Sequence, residues 1–362
     1  MTELSPITVQ LGARSYPIYV GEGNLETIGD RLRATQVGAR TAVVTNQTVA
    51  KLYCGATVKS LASAGFEVAT IEVPDGEEHK NLAWLAFLYE RMIQARLERN
   101  SSVVALGGGV VGDLTGFAAA TFLRGIVYVQ LPTTLLAQVD SSIGGKTGVN
   151  LAAGKNLIGA FHHPRLVIAD TEVLASLPRR EFLAGIAEVI KYAVILSPEL
   201  FDYLEEHLGR LIQQDRESVA RVVHACAQLK ALVVAEDETE SDYRAILNFG
   251  HTLGHAIESL TEYREFLHGE AVAIGMAFAT RLSVVRGMLE REVGERVIKL
   301  IERAGLPSEI PRDLRPRALA IAVEADKKRN DGRVKFVCLE GLGSTQFVHL
   351  STEELNKVLE AA

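Results

Sequence analysis

Over residues 7–20 apolar and polar side chains alternate around Gly12 and Ala13, the period of a half-buried β-hairpin. Short β-branched runs then alternate with helical patterns, at residues 41–44, 68–73, 102–106 and 126–131. Strands separated by helices predict a parallel, doubly wound sheet, whose ligands gather at the carboxyl ends of the strands. Asn46, the stretch 75–80, the stretch 107–113 and Thr133-Thr134 all lie just after such runs. Beyond Pro178 the period lengthens, and helices are expected over 180–196, 199–211, 216–235 and 268–286. Ser197 followed by Pro198 suits a helix start. A late apolar pair, 334–339 and 345–350, flanks Gly341 and Gly343 as a small hairpin, and Ser351 with Glu354 forms a capping box for the last helix. No internal repeat or low-complexity segment interrupts the pattern.

At 362 residues the chain exceeds one hydrophobic core, and the change of period suggests an α/β nucleotide-binding domain over 1–179 and a mainly helical domain over 180–362. With 48% hydrophobic residues and 31 glycines the composition is that of an ordinary globular protein. The net charge of −7 leaves no electrostatic footprint for nucleic acid, so basic residues that converge locally point to a small anionic ligand. Cys54, Cys226 and Cys338 are too far apart for a disulfide framework or a cysteine metal site, which fits a reducing cytoplasm. The first ten residues lack the basic start and apolar core of a signal peptide. The most apolar helical stretch, 271–285, is interrupted by Arg281 and is too short to span a bilayer.

Three of the nine histidines, His251, His255 and His268, cluster near Asn248. His251 and His255 stand on one helix face, but Thr252 occupies the position where a zinc protease needs its glutamate. The remaining metal option is an open site of two histidines and one carboxylate assembled from distant segments; capping or core histidines are the alternative. Glu188 and Lys191 share the inward face of an apolar helix, so Glu188 needs a cation, supplied by Lys191 or by a divalent metal with His251 and His268. The glycines at 107, 109 and 112 fit a dinucleotide-binding turn, yet the next strand offers only Gln130 where an acidic residue is usual, and tight packing also explains them. The run from Asp140 to Gly148 resembles a phosphate loop in composition but lacks Walker spacing, and it reads as a flexible loop bearing Lys146, with Lys155 and Asn156 close behind. Lys230, Arg244 and Lys327-Lys328 add cations suited to a multiply anionic substrate. The acidic run 236–242 reads as a solvated loop.

Several blocks in order resemble the 3-dehydroquinate synthase family: Gly107-Gly108-Gly109-Val110-Val111-Gly112-Asp113, Pro132-Thr133-Thr134-Leu135-Leu136 running on to Asp140-Ser141-Ser142-Ile143-Gly144-Gly145-Lys146-Thr147, Gly154-Lys155-Asn156, Ala187-Glu188-Val189-Ile190-Lys191-Tyr192, and Asn248-Phe249-Gly250-His251 through His255. The resemblance covers residues 43–328. It implies a nucleotide-binding domain and a helical metal domain with the active site between them. The implied activity is a phosphate-eliminating carbon–oxygen lyase, which converts 3-deoxy-D-arabino-heptulosonate 7-phosphate to 3-dehydroquinate and phosphate in the shikimate pathway. The implied course is transient oxidation by NAD, phosphate elimination, re-reduction and intramolecular aldol closure. The implied cofactors are NAD and a divalent metal, zinc or cobalt. Carried over by position, Glu188, His251 and His268 are the metal ligands. Asn46, Asp75, Glu77, Lys80, Gly109, Val110, Val111, Gly112, Asp113, Thr133, Thr134 and Ser176 face NAD, with Lys146 and Lys155. Substrate is held by Lys146, Lys155, Asn156, Lys191, Lys230, Arg244, Asn248, His255 and one of Lys327 or Lys328, beside Asp140. Arg124 is expected to reach a neighbouring subunit's site, which implies a homodimer. Some members carry an acidic residue where this chain has Val44.

Three other readings compete. A cyclase of sedoheptulose 7-phosphate would leave Lys230, Arg244 and Asn248 without the substrate carboxylate they suit. An oxidoreductase like the metal-dependent glycerol dehydrogenases would accumulate NADH. A binding module would bind without turnover, against which the open coordination position speaks.

Overall fold

The computed structural model describes residues 4–326 and 333–361. They form two compact units, one running to Leu177 and including Val219–Thr239, the other comprising Pro178–Ser218 and the chain from Glu240 onward.

The first unit is built on a seven-stranded sheet: β1 (Ile7–Val9), β2 (Tyr16–Gly21), β3 (Arg40–Asn46), β4 (Glu67–Val73), β5 (Ser102–Gly107), β6 (Val127–Pro132) and, later in the chain, β9 (Val167–Asp170). The order is β1-β2-β9-β6-β5-β3-β4, and only β1 with β2 is antiparallel. All six residues of β5 are buried, as a parallel strand covered on both faces requires. Its alternate residues feed two cores: Val103 and Ala105 join Leu88, Met92, Leu114 and Phe117 on one face, and Val104 and Leu106 join Ile28, Leu32, Leu61 and Val129 on the other. Burying each such side chain contributes about 1.5–3 kcal/mol, so the sheet is rigid and its carboxyl edge fixed.

Several expectations change here. Strand β9 was not among the runs read from the pattern, because four residues without alternation give no periodic signal. The stretch expected to be a flexible loop is a hairpin, β7 (Lys146–Leu151) paired with β8 (Gly154–Phe161), in which Lys146 stands opposite Phe161. The acidic run 236–242 is not simply solvated: Asp237 is buried, and Glu238 accepts from Arg14 at 2.7 Å and from His163 at 2.8 Å. The return of 219–239 to the first unit is a discontinuity that a single cut at 179/180 does not express. Among the described residues, Arg216–Glu236 is the helix long and apolar enough to cross a membrane, and the 271–285 stretch, as expected, is not. Val222, Val223, Ala227 and Lys230 of that helix are buried.

The second unit is mainly helical: Arg179–Leu196, Pro198–Ile212, His251–Leu260, His268–Val285, Arg291–Arg303, Pro316–Asp326 and Thr352–Ala361, with a hairpin of β10 (Arg333–Gly341) and β11 (Ser344–Ser351). Ser197 caps Pro198–Ile212 by accepting from the Leu200 amide at 3.2 Å, and Ser351 with Glu354 forms the reciprocal cap of the last helix. His268–Val285 is apolar all round and central. Two glycines let its neighbours touch its backbone. A Cβ on Gly269 would lie 1.9 Å from the Ala184 carbonyl oxygen, and one on Gly275 would lie 1.9 Å from that of Gly250.

Candidate metal centre and nucleotide edge

That close packing brings three helices to one point in the second unit. Glu188 is fully buried in the Arg179–Leu196 helix, His251 opens His251–Leu260, and His268 opens His268–Val285. Gly250 precedes His251 in the left-handed region, φ 81°, where a side chain would be strained and would also strike Met276. Glu188 Oε1 lies 3.5 Å from His251 Nε2 and 3.8 Å from His268 Nε2, and ligand atoms of the three residues fall within 4.8 Å of one another. This oxygen is buried without a hydrogen-bond partner. A buried carboxylate oxygen left in that state is costly unless a cation completes it. The Lys191 ammonium packs against the other oxygen, so both cations weighed for Glu188 have a place.

The histidines are oriented for the same role. The far nitrogen of His251, Nδ1, is 3.1 Å from the Phe249 carbonyl oxygen, and that of His268 is 3.1 Å from Glu258 Oε2. With Nδ1–H donated on the far side, each Nε2 lone pair faces Glu188. Burial, then the charges of Lys191, His268 and His255, push the His251 pKa well below its ordinary value, which keeps the imidazole neutral and able to ligate. Two imidazoles and one carboxylate suit zinc or cobalt with a coordination position left open. His255 stands beside them, its ring 5.5 Å from His251 and 5.9 Å from His268. Arg244 is buried in the Tyr243–Asn248 turn, and Asn248 donates to Glu240 at 2.8 Å.

In the first unit the expected cofactor residues follow the carboxyl ends of β3 to β6. Gly109–Thr121 starts immediately beyond β5, with Gly108 extended before it. The amides of Gly109, Val110 and Val111 have no intrahelical acceptor and form the positive end of the helix, a site for a phosphate. The glycines also pack tightly: a Cβ on Gly112 would come within 2.9 Å of Gln130, and one on Gly108 within 3.1 Å of Thr134. Thr133 donates its amide to the Gly107 carbonyl at 3.0 Å, which joins the two turns. Lys80, nearly fully buried, donates to Asp113 at 2.9 Å and lies 3.4 Å from Glu77. Burial pulls the Lys80 pKa down, but the two carboxylates outweigh it and the net shift is upward. Burial also raises the Asp113 carboxyl, against the Lys80 charge. Asp75 is exposed at the end of its turn, and Asn46 is buried, capping the Val49 amide at 2.8 Å. Ser176 Oγ accepts from Tyr53 at 2.6 Å.

Of the residues expected to hold substrate, Lys230 reaches Asp140 Oδ1 at 2.7 Å, Lys146 is exposed at the start of β7, and Lys155 and Asn156 lie in β8. Arg124 is exposed with φ 70°, beside Leu123 at φ 50°. Lys327 and Lys328 lie outside the described residues. Sequence reasoning passed over Glu258, although it falls seven positions after His251 on the same helix face; Glu240, which holds Asn248; and Asn150, which donates to Glu77 at 2.8 Å.

Residues 70–184 match the model of the 3-dehydroquinate synthase N-terminal domain, and residues 185–329 that of the C-terminal domain. The chain is 51% identical over 352 residues to the 3-dehydroquinate synthase of Pelobacter propionicus, covering 97% of this chain and 98% of that one. Among solved structures it is similar to 2-deoxy-scyllo-inosose synthase complexed with carbaglucose-6-phosphate, NAD+ and Co2+, with TM-score 0.89, 26% identity and coverage of 99% and 100%. It is also similar to 2-epi-5-epi-valiolone synthase of Streptomyces hygroscopicus with NAD+ and Zn2+ bound, with TM-score 0.87, 29% identity and coverage of 100% and 97%.

Proposed function

Because the chain belongs to the 3-dehydroquinate synthase family, we propose that it converts 3-deoxy-D-arabino-heptulosonate 7-phosphate to 3-dehydroquinate and phosphate, as a carbon–oxygen lyase of the shikimate pathway. The observation that carries the catalytic part of this reading is the partnerless Glu188 Oε1 facing two imidazole Nε2 atoms at 3.5 and 3.8 Å. Glu188, His251 and His268 hold the divalent metal, zinc or cobalt, which when bound supplies Lewis acidity toward a substrate oxygen. NAD is held by Asn46, Asp75, Glu77, Lys80, Gly112, Asp113, Thr133, Thr134, Ser176 and the amides of 109–111, and supplies a hydride acceptor that is restored each turnover.

The chain's own groups do the rest. Lys146, Lys155 and Asn156 bind the phosphate and stabilise its charge as it leaves. Lys230, Arg244 and Asn248 suit the substrate carboxylate; Asp140 orients Lys230 and Glu240 orients Asn248. Lys191 and His255 are close enough to the metal ligands to hold or move a proton at a substrate hydroxyl. Arg124, exposed on a left-handed turn and without a hydrogen bond or ion pair among the described residues, serves the site of a partner copy in a homodimer. Three free cysteines, two of them buried, accord with a cytoplasmic enzyme.

The test is phosphate release from the seven-carbon acid with NAD and metal each present or withheld. Release that needs both, with no accumulation of NADH, is expected. Release without NAD, or NADH rising with product, would overturn it.

A further inference from the structure

His251, His255 and Glu258 form a polar stripe on one face of His251–Leu260, at spacings of four and three, among the buried apolar side chains of Leu253, Ala256 and Ile257. A glutamate on such a face is unusual, and this one is only 3% exposed. Its Oε2 lies 3.1 Å from His268 Nδ1, and the opposite nitrogen of that ring faces Glu188. An imidazole that gives its Nε2 lone pair to a cation keeps its proton on Nδ1, and an acceptor there fixes both tautomer and ring plane. For His251 the acceptor is the backbone carbonyl of Phe249, which the fold itself holds. For His268 it is a side chain, and His268 is also the less enclosed ring, its side chain 33% exposed against 12% for His251. Packing therefore orients His251 more than His268, and His268 depends more on its hydrogen bond.

We propose that Glu258 is a positioning residue of the metal centre: its carboxylate holds His268 Nδ1–H so that Nε2 points at the ion, and its charge makes the ring a stronger donor. The inference rests on the reading of Glu188, His251 and His268 as metal ligands. His255, Glu258 and His268 could by distance hold an ion of their own. A second ion sharing His268, however, would need both ring protons removed, whereas a single ion leaves Nδ1–H for Glu258.

The test compares the full chain with Glu258→Ala, Glu258→Gln and Glu188→Ala. Zinc affinity and stoichiometry are read by competition with a chromophoric chelator, and geometry by the visible absorption of bound cobalt. One ion per chain is expected in the unsubstituted protein and none in Glu188→Ala. Glu258→Ala should bind about 10- to 100-fold more weakly with an altered cobalt spectrum, and Glu258→Gln should lose less, because its amide oxygen still accepts from Nδ1–H. Should Glu258→Ala fail to fold, judged by thermal unfolding in excess zinc, the isosteric glutamine variant decides alone. Affinity and spectrum unchanged in the Glu258 variants, with Glu188→Ala empty, would overturn the role of Glu258 and leave the ligand set standing. Undiminished binding in Glu188→Ala would remove the ligand set itself. Two ions per chain, one lost with Glu258, would make Glu258 a ligand and overturn the positioning role.

Discussion

Glu188 shows how much a single residue's surroundings decide. Inside an apolar helix face its carboxylate is tolerable only because Lys191 meets one oxygen and a cation can meet the other. We expect Glu188→Gln and His268→Ala to reduce phosphate release to background with far-ultraviolet dichroism unchanged, and a chelator to do the same reversibly; full activity after complete metal removal would contradict this. Lys146→Ala removes a charge-assisted contact worth about 1.5–3 kcal/mol, so the substrate requirement should rise about tenfold or more, and an unchanged saturation curve would exclude it from the site. His162 tests a different balance. Burial lowers its pKa against the Ile126 carbonyl 2.9 Å away, and its ring stacks on Tyr128. The folded value lies below the unfolded value of about 6.5, so its contribution is present above that pH and is lost as pH falls toward the folded value. His162→Gln should make the decline in urea midpoint between about pH 7 and 5.5 shallower, read by Trp84, the chain's one tryptophan, which packs on a core of the same unit. Equal slopes would refute it. At this scale the grouping of Glu188, His251 and His268 was legible because histidines and an inward glutamate are rare on apolar faces. Glu258 was not, because its partner lies on another helix.

Among the elements, glycines govern how closely the second unit's helices approach. At Gly275 a Cβ would sit 1.9 Å from a backbone oxygen, and the obstacle cannot swing aside; at Gly254 the nearest backbone atoms are 3.1 Å away. Gly275→Ala should therefore destabilise by about 3 kcal/mol or more, at or beyond the upper end of ordinary overpacking, and should weaken zinc binding by displacing His251 from His268. Gly254→Ala should do less of both, and thermal melting with zinc titration of the two variants measures the order. Ser197→Ala, nine residues beyond Glu188, removes the cap on the Leu200 amide and should cost about 1 kcal/mol without affecting metal affinity. The hairpins and long helices were legible from period alone, since alternation and 3.6-residue stripes each bury one face. Strand β9 and the β7–β8 hairpin were not. Four consecutively buried residues carry no period, and the glycines and lysines of 144–155 signal a loop although their backbones pair.

For the whole molecule, the pattern could state that the chain has two parts but not that Val219–Thr239 returns to the first, because a helix's sequence records its apolar stripe and not which core receives it. Assembly is likewise unreadable from one chain's periodicity, and here a strained turn supplies the clue. Leu123 and Arg124 both occupy left-handed backbone, at about 1–2 kcal/mol each, and the turn is closed by the Gly125 amide on Phe122 and the Ile126 amide on Ala119, both at 2.9 Å. A fold that sustains this strain to display an arginine with no partner among the described residues is consistent with a target on another copy. If so, Arg124→Ala and Glu188→Ala disable different subunits of the same site. Each variant alone should be inactive or nearly so. In a mixed dimer, however, the subunit carrying Arg124→Ala keeps its metal ligands and receives Arg124 from its partner, so one site of two is whole. With equal amounts of the two variants, random re-pairing makes half the dimers hybrid, and activity should recover to roughly a quarter of the unsubstituted level. Recovery requires Arg124 to act across subunits. A mixture that stays inactive after proven exchange, or an Arg124→Ala variant that is fully active alone, would place the arginine outside the partner's site.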